Sequence, residues 1–404
     1  MPQISTKGRI MPPSPIRKLA PYAEQAKSKG IKVFHMNIGQ PDIPTPLIGM
    51  EAVRNNNLTV VEYSHSMGIE SLRRQLAQYY QERAIDVDHN QIMITNGGSE
   101  AISMTMMACL NHYEDVIVPE PFYANYYGFS TVAGVGLKPL KSVIENDFSL
   151  PPIEELEQNI NAATRAIMIC NPNNPTGYLY SRAELEKLAE IAIKHDLFLI
   201  SDEVYREFCY DGHKHYSIME ISGLENHAVL IDSMSKRFSA CGIRVGALVT
   251  RNRELMNTVL KFAQARLSPP TFGQILVEAA LTSPPEYYTA VHDEYLERRN
   301  TLVNGLNRIP GVYSPMPKGA FYTMARLPVD DADHFAQWLL SDFQYNQQTV
   351  MLAPGSGFYS TPGLGKNEVR IAYVINKSDI ERALECLSRA LEQYPGKKIA
   401  NIGT

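Results

Sequence analysis

Lys236 lies in a stretch of small and hydroxylated residues, S-M-S-K-R-F-S-A-C-G-I-R-V-G at positions 233–246. A lysine amine attacks an aldehyde only in its neutral form, which desolvation or a nearby cation favours. Arg237 and Arg244 supply such cations, and the forked donors of Arg244 also suit a phosphate. The stretch predicts a lysine that forms an imine with an aldehyde, although the motif alone does not exclude a solvated surface lysine.

A carboxylate and a phenol follow another apolar run, in the D-E-V-Y stretch at positions 202–205. Asp202 can hold an aromatic ring nitrogen in its protonated form. A protonated ring withdraws electrons, as carbanion chemistry at an amino acid requires. Tyr205 can donate its phenol proton to a ring oxygen. The structural alternative is a carboxylate that caps the following turn.

Two further loops carry groups that suit the same ligand. The N-P-N-N-P-T-G run at 171–177 contains two Asn-Pro steps, which enforce a rigid non-helical loop that can present the Asn174 amide to a ring oxygen. In T-N-G-G-S-E-A at 95–101 a strand turns into a helix, and the first amides of that helix, at Gly98 and Ser99, can bind a phosphate. Each run is also an ordinary turn by composition. Together the four stretches describe an aldehyde trap, a ring-nitrogen partner, a ring-oxygen partner and a phosphate cradle.

These groups follow short apolar segments rich in β-branched residues, which alternate with segments of helical spacing. Such alternation predicts an α/β fold with a mainly parallel sheet covered by helices on both faces. Ligands bind beyond the carboxyl ends of the strands in such sheets, so the four stretches are expected to meet at one edge. Ser181 and Glu184 have the spacing of a helix-capping box. The predicted strands are 91–95, 115–118, 166–170, 198–201, 229–232 and 246–249, and the predicted helices are 99–110, 182–195 and 253–266.

The C-terminal third predicts a second, smaller α+β domain. The chain breaks at S-P-P (283–285), and a polar helix over 285–309, a strand near 368–374 and an amphipathic helix over 377–393 follow. The N-terminal arm and residues 33–39 are expected to join this part. We therefore predict a large domain over 46–285 and a small domain formed by 1–45 and 286–404.

Composition excludes several classes of protein. The net charge is −5, from 38 basic and 43 acidic residues without a basic stripe, so a nucleic-acid partner is not expected. The five cysteines are scattered singly, which argues against a disulfide framework or a metal site and favours a reducing compartment. No signal peptide and no apolar run of about 20 residues is present, so we expect a cytoplasmic protein without a membrane partner.

From position 15 to about 394 the chain resembles the class I and II aminotransferases of the type I pyridoxal-phosphate fold, and in particular the aspartate aminotransferases. The shared motifs are G-Q-P-D, Y-x-x-x-x-G, G-G-S-E, N-P-x-N-P-T-G, D-E-x-Y, S-x-S-K, G-x-R-x-G, G-A-F-Y and V-R-I-A, in that order. The resemblance implies pyridoxal 5'-phosphate as cofactor, amino-acid and 2-oxo-acid substrates, and a homodimer with shared active sites.

The resemblance also implies a role for individual residues. Lys236, Asp202 and Tyr205 would be catalytic, with Lys236 as the residue that forms the imine and moves the proton. The implied cofactor-binding set is Gly98, Ser99, Tyr123, Asn174, Asp202, Tyr205, Ser233, Ser235, Lys236 and Arg244, with Tyr63 reaching the phosphate of the neighbouring subunit. The implied substrate-binding set is Arg370 on the α-carboxylate, assisted by Asn174 and Gly39. Tyr123 is a departure, because tryptophan is usual there in many aspartate enzymes.

The motifs indicate the preferred substrate less directly than they indicate the cofactor. Aligning S-P-P-T at 268–271 with the S-N-P-P stretch of one branch of the family puts Ala263 where that branch has an arginine for the distal carboxylate. Arg266 could substitute for it, or could be a solvated arginine at a helix end. Aspartate with 2-oxoglutarate is the first expectation. The alternatives are aromatic, alanine or broad specificity, a lyase on the same fold, and a non-catalytic regulator, which would need a basic helix-turn-helix ahead of the fold that we do not expect here.

Overall fold

The computed structural model describes residues 2–398 of the chain. The helices of this part are α1 (Thr6–Ile10), α2 (Ala20–Ser28), α3 (Leu47–Arg54), α4 (Glu70–Gln81), α5 (Gly98–Cys109), α6 (Tyr126–Ala133), α7 (Ile153–Gln158), α8 (Arg182–Lys194), α9 (Met234–Arg237), α10 (Arg253–Arg266), α11 (Thr271–Ala280), α12 (Pro285–Leu306), α13 (Ala332–Ser341) and α14 (Lys377–Gln393). The strands are β1 (Lys32–His35), β2 (Ile92–Thr95), β3 (Asp115–Glu120), β4 (Gly136–Lys141), β5 (Thr164–Cys170), β6 (Phe198–Asp202), β7 (Ala228–Ser233), β8 (Gly246–Val249), β9 (Tyr322–Arg326), β10 (Gln348–Met351), β11 (Ala353–Pro354) and β12 (Glu368–Ala372).

The largest sheet has seven strands in the order β2-β8-β7-β6-β5-β3-β4. β8 is antiparallel to both of its neighbours, and the remaining neighbours pair in parallel. The carboxyl ends of the parallel strands therefore lie at one edge of the sheet, and the amino end of β8 joins them there. This edge is where the loops that carry the predicted ligand groups begin.

The central strands of this sheet are buried along nearly their whole length because helices cover both faces. All six residues of β7, for example, are buried. One face packs against α4, α8 and α11 through residues such as Leu76, Leu188 and Val277. The other face packs against α5 and α10 through residues such as Met104 and Val259. The α/β fold with a mainly parallel sheet is thus confirmed.

A second core lies beside this sheet. The antiparallel strands β11-β12-β9 pack against α12 and α14, with Leu302, Ile371 and Leu387 in the shared core. β1 pairs in parallel with β10, and α2 packs on α13 through Ala23 and Ala336. The N-terminal segment is therefore joined to the C-terminal part of the chain. The domain bounds at 46 and 285 stay a prediction.

Local signals place the elements much as the sequence predicts, with small shifts at their ends. The capping box before α8 is present: the Ser181 side chain accepts from the Glu184 amide, and the Glu184 side chain accepts from the Ser181 amide. One strand of the large sheet, β4, was not among the predicted strands. Its segment, G-L-K-P-L-K, lies at the sheet edge, where a proline and charged residues are tolerated but weaken the apolar pattern.

Candidate active site

The loops at the edge of the seven-stranded sheet enclose a cavity of about 180 Å³. Most of the residues predicted for the site line this cavity. They are Gly39, Gly98, Ser99, Tyr123, Asn174, Asp202, Tyr205, Ser233, Ser235, Lys236, Arg244 and Arg370. The lining also contains residues to which the sequence analysis gave no role, namely Ile16, Ile38, Ile102, Val204, Cys241 and Tyr322.

Lys236 projects from the short helix α9, which follows β7 directly. The Nζ atom donates a hydrogen bond of 2.8 Å to the carbonyl oxygen of Gly39 and lies 3.7 Å from the Sγ atom of Cys241. Burial is the main cause that lowers the pKa of this amine, and the positive charges of Arg370 and Arg244 lower it further. The surroundings thus favour the neutral, nucleophilic amine.

Arg237, the second cation that the sequence suggested for this task, is bound elsewhere. Its Nη2 atom donates to Asp232 over 2.7 Å, and its side chain is buried. It is therefore committed to a carboxylate inside the protein and does not line the cavity. The cation that accompanies Arg244 near the amine is Arg370.

Asp202 ends β6, and its carboxylate is buried at the floor of the cavity. Its Oδ2 atom accepts a 2.8 Å hydrogen bond from the hydroxyl of Tyr126, whereas its Oδ1 atom has no hydrogen-bond partner in the described part of the chain. Burial raises the pKa of Asp202 to about 6. A buried carboxylate oxygen without a partner is costly unless a ligand supplies a donor. A protonated ring nitrogen is a donor of that kind.

Arg370 and Asn174 belong to one hydrogen-bonded group. Arg370 donates through Nη1 to the Oδ1 atom of Asn174 (2.9 Å) and through Nη2 to the carbonyl oxygen of Asn37 (2.5 Å). The guanidinium lies between the rings of Tyr322 and Phe358, at 4.5 and 4.8 Å from their centroids. Its Nε atom is buried without a partner among residues 2–398, so the group is held in place with a donor still available.

Tyr205 extends this group towards the floor of the cavity. Its hydroxyl accepts from the Asn174 amide at 3.4 Å and lies 3.0 Å from the hydroxyl of Tyr322. Burial raises the pKa of Tyr322 to about 12, so both phenols are protonated at neutral pH and can donate. Gly39 completes the arrangement, because a side chain there would overlap the Tyr322 ring. The G-A-F-Y and G-Q-P-D motifs were the available signals for Tyr322 and Gly39.

The opposite end of the cavity has the features of an anion site. Helix α5 begins at Gly98, after Gly97 with φ of +75°, and any side chain at Gly97 would collide with the Arg244 guanidinium. Arg244 donates to the carbonyl oxygens of Asn96 (3.2 Å) and Cys241 (3.0 Å). Free amides at a helix start beside an arginine and the hydroxyls that line the same end suit a phosphate. The lining hydroxyls are those of Ser99, Ser233 and Ser235.

Tyr123 lines the cavity and packs against Tyr126 behind it. Their rings meet edge to face at 5.5 Å, and the Tyr123 hydroxyl accepts from the Asn125 amide at 2.7 Å. Tyr123 therefore presents an aromatic surface to the cavity, while Tyr126 holds Asp202. Tyr126 could not be singled out from the sequence, because nothing in F-Y-A-N-Y-Y distinguishes it from the neighbouring tyrosines.

Two residues of the predicted site do not line the cavity. Tyr63 is 78% exposed. The Nη2 atom of Arg266 donates to the carbonyl oxygens of Ser66 and Ile94, each at 3.2 Å, and its Nε atom lies 3.5 Å from Glu100. Arg266 thus stabilises the turn between β2 and α5 and lies outside the cavity that would hold the substrate. Ala263, at the place of the family's arginine, is fully buried.

Residues 2–398 contain neither a cluster of metal ligands nor a membrane-spanning helix. No group of three or more histidine, cysteine, aspartate or glutamate residues there has a geometry that could hold a metal ion. Over the same residues, none of the helices combines the length and the apolar composition that crossing a membrane requires.

Comparison with known proteins identifies the family. The family model "Aminotransferase class I and II" matches residues 31–387. An aspartate aminotransferase of Bacillus subtilis is 30% identical over 97% of this chain and 100% of its own length, and an aromatic-amino-acid aminotransferase of Thermococcus litoralis is 31% identical over 96% and 98%. The structure of an aspartate aminotransferase from Thermus thermophilus with maleate superposes with a TM-score of 0.88 at 27% identity, covering 97% of this chain and 100% of that one.

Enzymes of this family use pyridoxal 5'-phosphate, and the cavity fits that cofactor. The cofactor has an aldehyde, a pyridine nitrogen, a phenolic oxygen and a phosphate. The cavity offers an amine with lowered pKa, a carboxylate oxygen without a partner, a pair of phenols and an anion cradle. The chain therefore belongs to the class I and II aminotransferases and is a pyridoxal-phosphate-dependent enzyme.

Proposed function

We propose that the enzyme transfers the amino group of an L-amino acid, with aspartate as first candidate, to 2-oxoglutarate. Aspartate is supported by the names of the Bacillus and Thermus proteins, and the Thermococcus protein supports an aromatic substrate. Aromatic, alanine or broad specificity and a lyase reaction are the alternatives that an assay must separate.

The observation that carries the proposal is the placement of Arg370 and Lys236 in one cavity. Arg370 is fully buried and fixed by Asn174 and the Asn37 carbonyl, with its Nε atom unpaired. A buried guanidinium held in this way binds a carboxylate strongly. In our proposal it binds the substrate α-carboxylate with Asn174 and the Gly39 backbone, so that the α-carbon lies within reach of the Lys236 amine.

Lys236 has two proposed tasks. It would hold the cofactor covalently, and as a free amine it would move the proton at the substrate α-carbon. The amine suits the second task because burial lowers its pKa and so favours the neutral form that accepts a proton. The bound cofactor supplies an electron-withdrawing ring. Asp202 keeps the ring nitrogen protonated through the carboxylate oxygen that has no partner within the protein.

The remaining residues are proposed to orient the cofactor. Asn174 and Tyr205 bind the phenolic oxygen, and Tyr123 stacks on the ring. Gly98, Ser99, Ser233 and Arg244 bind the phosphate. Ser235 has a supporting role there, because its hydroxyl accepts a 3.0 Å hydrogen bond from the Ser233 hydroxyl.

A panel of amino donors with 2-oxoglutarate tests the reaction. Transamination yields the donor's 2-oxo acid and glutamate in equal amounts. A lyase yields the 2-oxo acid with ammonia and no glutamate. In the same assay Arg370→Ala should raise KM for every amino donor by about ten- to a hundredfold, because a charge-assisted pair is lost. A variant with normal KM would place the carboxylate site elsewhere.

We also propose that the enzyme is a cytoplasmic homodimer in which Tyr63 reaches the phosphate of the partner's cofactor. Tyr63 is exposed, and so are apolar side chains near it in sequence: Leu58, Val60 and Val61 are 48%, 65% and 55% exposed. Neighbouring exposed apolar side chains of this kind are typical of a surface that another chain covers.

Hybrid dimers test the shared site. Mixing the Lys236→Ala and Tyr63→Phe variants should restore activity, because one of the two sites in a hybrid then combines an intact Lys236 with an intact Tyr63. Mixing Lys236→Ala with Asp202→Asn is the matched control and should restore none, because these two residues act within one subunit. The absence of recovery in the first mixture would contradict the proposal for Tyr63.

A further inference from the structure

Residues 14–18 carry the chain over the cavity as a fixed turn. The amides of Arg17 and Lys18 both donate to the Ser14 carbonyl. Ile16 lines the cavity, and its carbonyl accepts a 2.9 Å hydrogen bond from the Asn37 amide, next to the carbonyl that holds Arg370. The position of this turn is therefore coupled to the proposed substrate end of the site.

The turn is also packed from outside. Pro15 lies against Gly357, where a Cβ atom would collide with the proline ring. Ile16 is buried in a small cluster with Ala124 and Phe358, and Phe358 is one of the two rings that enclose Arg370. The chain at this point has little freedom to move away from the cavity.

Arg17 is the cation of this turn without a partner. It is exposed, and it forms no ion pair and no side-chain hydrogen bond among the described residues. The adjacent Lys18, by contrast, is paired with Asp333. The phenol of Tyr123, whose pKa burial raises, feels the positive charges of both Arg370 and Arg17. Arg17 directly follows Ile16, which packs in one cluster with Tyr123 and lines the cavity with it, so the exposed Arg17 side chain begins at the rim of the cavity and not within its lining.

Among residues 2–398, no cation without an assigned task lines this part of the cavity. Of the described residues that line the cavity, the basic ones are Lys236, Arg244 and Arg370, and all three already have proposed tasks. Arg266 is bound to backbone carbonyls and Glu100. The lining near the turn is apolar or aromatic, with Ile16, Ile38 and Tyr123. A second carboxylate placed there would lose water without gaining a counter-charge unless Arg17 supplied it.

We infer that Arg17 binds the second carboxylate of a dicarboxylic substrate at the mouth of this cavity. The inference rests on the proposed transamination and names the residue that selects the substrate class. The forked guanidinium suits a carboxylate, and its position in water lets it stay hydrated when a substrate with a neutral side chain is bound. Replacing Arg17 should therefore weaken the binding of dicarboxylic substrates and leave the binding of neutral substrates unchanged.

The test compares Arg17→Gln with Arg17→Lys and with the matched control Lys18→Gln. Each half-reaction is followed separately by the absorbance of the holoenzyme, with aspartate and 2-oxoglutarate as dicarboxylic substrates and alanine and tyrosine as neutral ones. We expect Arg17→Gln to raise the apparent dissociation constant for the dicarboxylic substrates by about ten- to a hundredfold. Neutral substrates and the Lys18→Gln variant should change by less than about twofold. Arg17→Lys should retain part of the affinity.

A binding measurement removes the dependence on turnover. Succinate has two carboxylates and no amino group, and propionate has one carboxylate. Measured by calorimetry, the affinity of Arg17→Gln for succinate should be about tenfold or more below that of the wild type, and its affinity for propionate should be unchanged.

Every other outcome overturns the inference. If Arg17→Gln weakened the binding of neutral and dicarboxylic substrates equally, Arg17 would only support the turn. If the dissociation constants of both substrate classes stayed unchanged, Arg17 would contact neither. A wild-type enzyme that accepts neutral substrates alone would remove the inference and leave transamination standing. A wild-type enzyme that releases ammonia instead of forming glutamate would remove the proposed function as well.

Discussion

Two buried aspartates lie in neighbouring strands of the large sheet and have opposite surroundings. In Asp232, on β7, the Oδ2 atom accepts from Tyr80 (2.9 Å) and Arg237 (2.7 Å), and the Oδ1 atom accepts from the Ser233 amide (2.7 Å). In Asp202, on β6, one oxygen accepts from Tyr126 and the other has no partner among residues 2–398. The first carboxylate is satisfied by the protein, and the second is not.

The pKa values follow this difference. Burial acts to raise the pKa of both groups. In Asp232 the charges of Arg237 and Arg206 outweigh burial and hold the pKa below its usual value. Asp202 has no comparable cation, and its pKa rises to about 6. Equal burial of the same residue type thus yields a structural ion pair in one strand and an open ligand site in the next.

Lys236 and Arg237 repeat the contrast on one short helix. Lys236 lines the cavity with a lowered pKa, whereas the next residue is locked to Asp232. Replacing an ionisable group that the protein leaves without a partner should lower turnover. Replacing a group that the protein pairs fully should lower the free energy of unfolding.

The largest effect is expected for Lys236→Ala. Turnover should fall by about four orders of magnitude, because the variant loses the amine that moves the proton. The visible absorption band of the holoenzyme should disappear, and borohydride should no longer fix the cofactor to the peptide that contains position 236. A persistent band would remove Lys236 from its proposed role.

Asp232→Asn should act on stability instead. The variant leaves Arg237 buried without its nearest counter-charge, and only the Glu207 carboxylate remains, 3.6 Å from its Nε atom. The unfolding free energy measured with denaturant should therefore fall by about 3–5 kcal/mol. Asp202→Asn is the matched variant: it should keep the stability of the wild type or exceed it, and lose most of its turnover. A comparable loss of stability in both variants would erase the distinction between the two carboxylates.

The smallest effect is a pH dependence in the cofactor-free protein. Asp202 protonates near pH 6 in the folded chain and near pH 4 when unfolded, so the folded state binds more protons between these values. Stability should therefore fall as pH rises from about 4 to 7, by about 3 kcal/mol from this group. Denaturant unfolding of wild type and Asp202→Asn should give curves that diverge over this window.

Asp232→Asn is a control, because Asp232 is expected to make stability depend on pH in the opposite direction. Because the folded-state pKa of Asp232 is lowered, its stabilising contribution is present above the unfolded-state pKa near 4 and is lost as the pH falls further. Parallel curves for wild type and Asp202→Asn between pH 4 and 7 would contradict the assignment for Asp202.

Much of the site could be predicted because its groups follow apolar strands directly. Asn174, Asp202 and Lys236 each come within a few residues of a strand end, and a parallel sheet brings such ends to one edge. The loops that bear them also have recognisable compositions of glycine, proline, asparagine and serine.

What could not be predicted depends on contacts between distant parts of the chain. Tyr80 and Asp232 are 152 positions apart, and Tyr126 and Asp202 are 76 apart. The edge strand β4 escaped notice for a related reason, since its polar segment is a strand only because β3 pairs with it.

The amino-acid sequence alone thus determined the α/β fold, the chemical types at the strand ends and the resemblance to a family, because local patterns encode strands, turns and loop compositions. Only the tertiary structure decided which charges are satisfied and which remain open. Arg237 is paired with Asp232 and Arg266 with Glu100 outside the cavity, whereas Arg370 lines the cavity with an unpaired Nε atom and Arg17 stays unpaired in the described part of the chain. The pKa and the availability of an ionisable group depend on burial and on the nearest charges, and packing between segments far apart in the chain sets both.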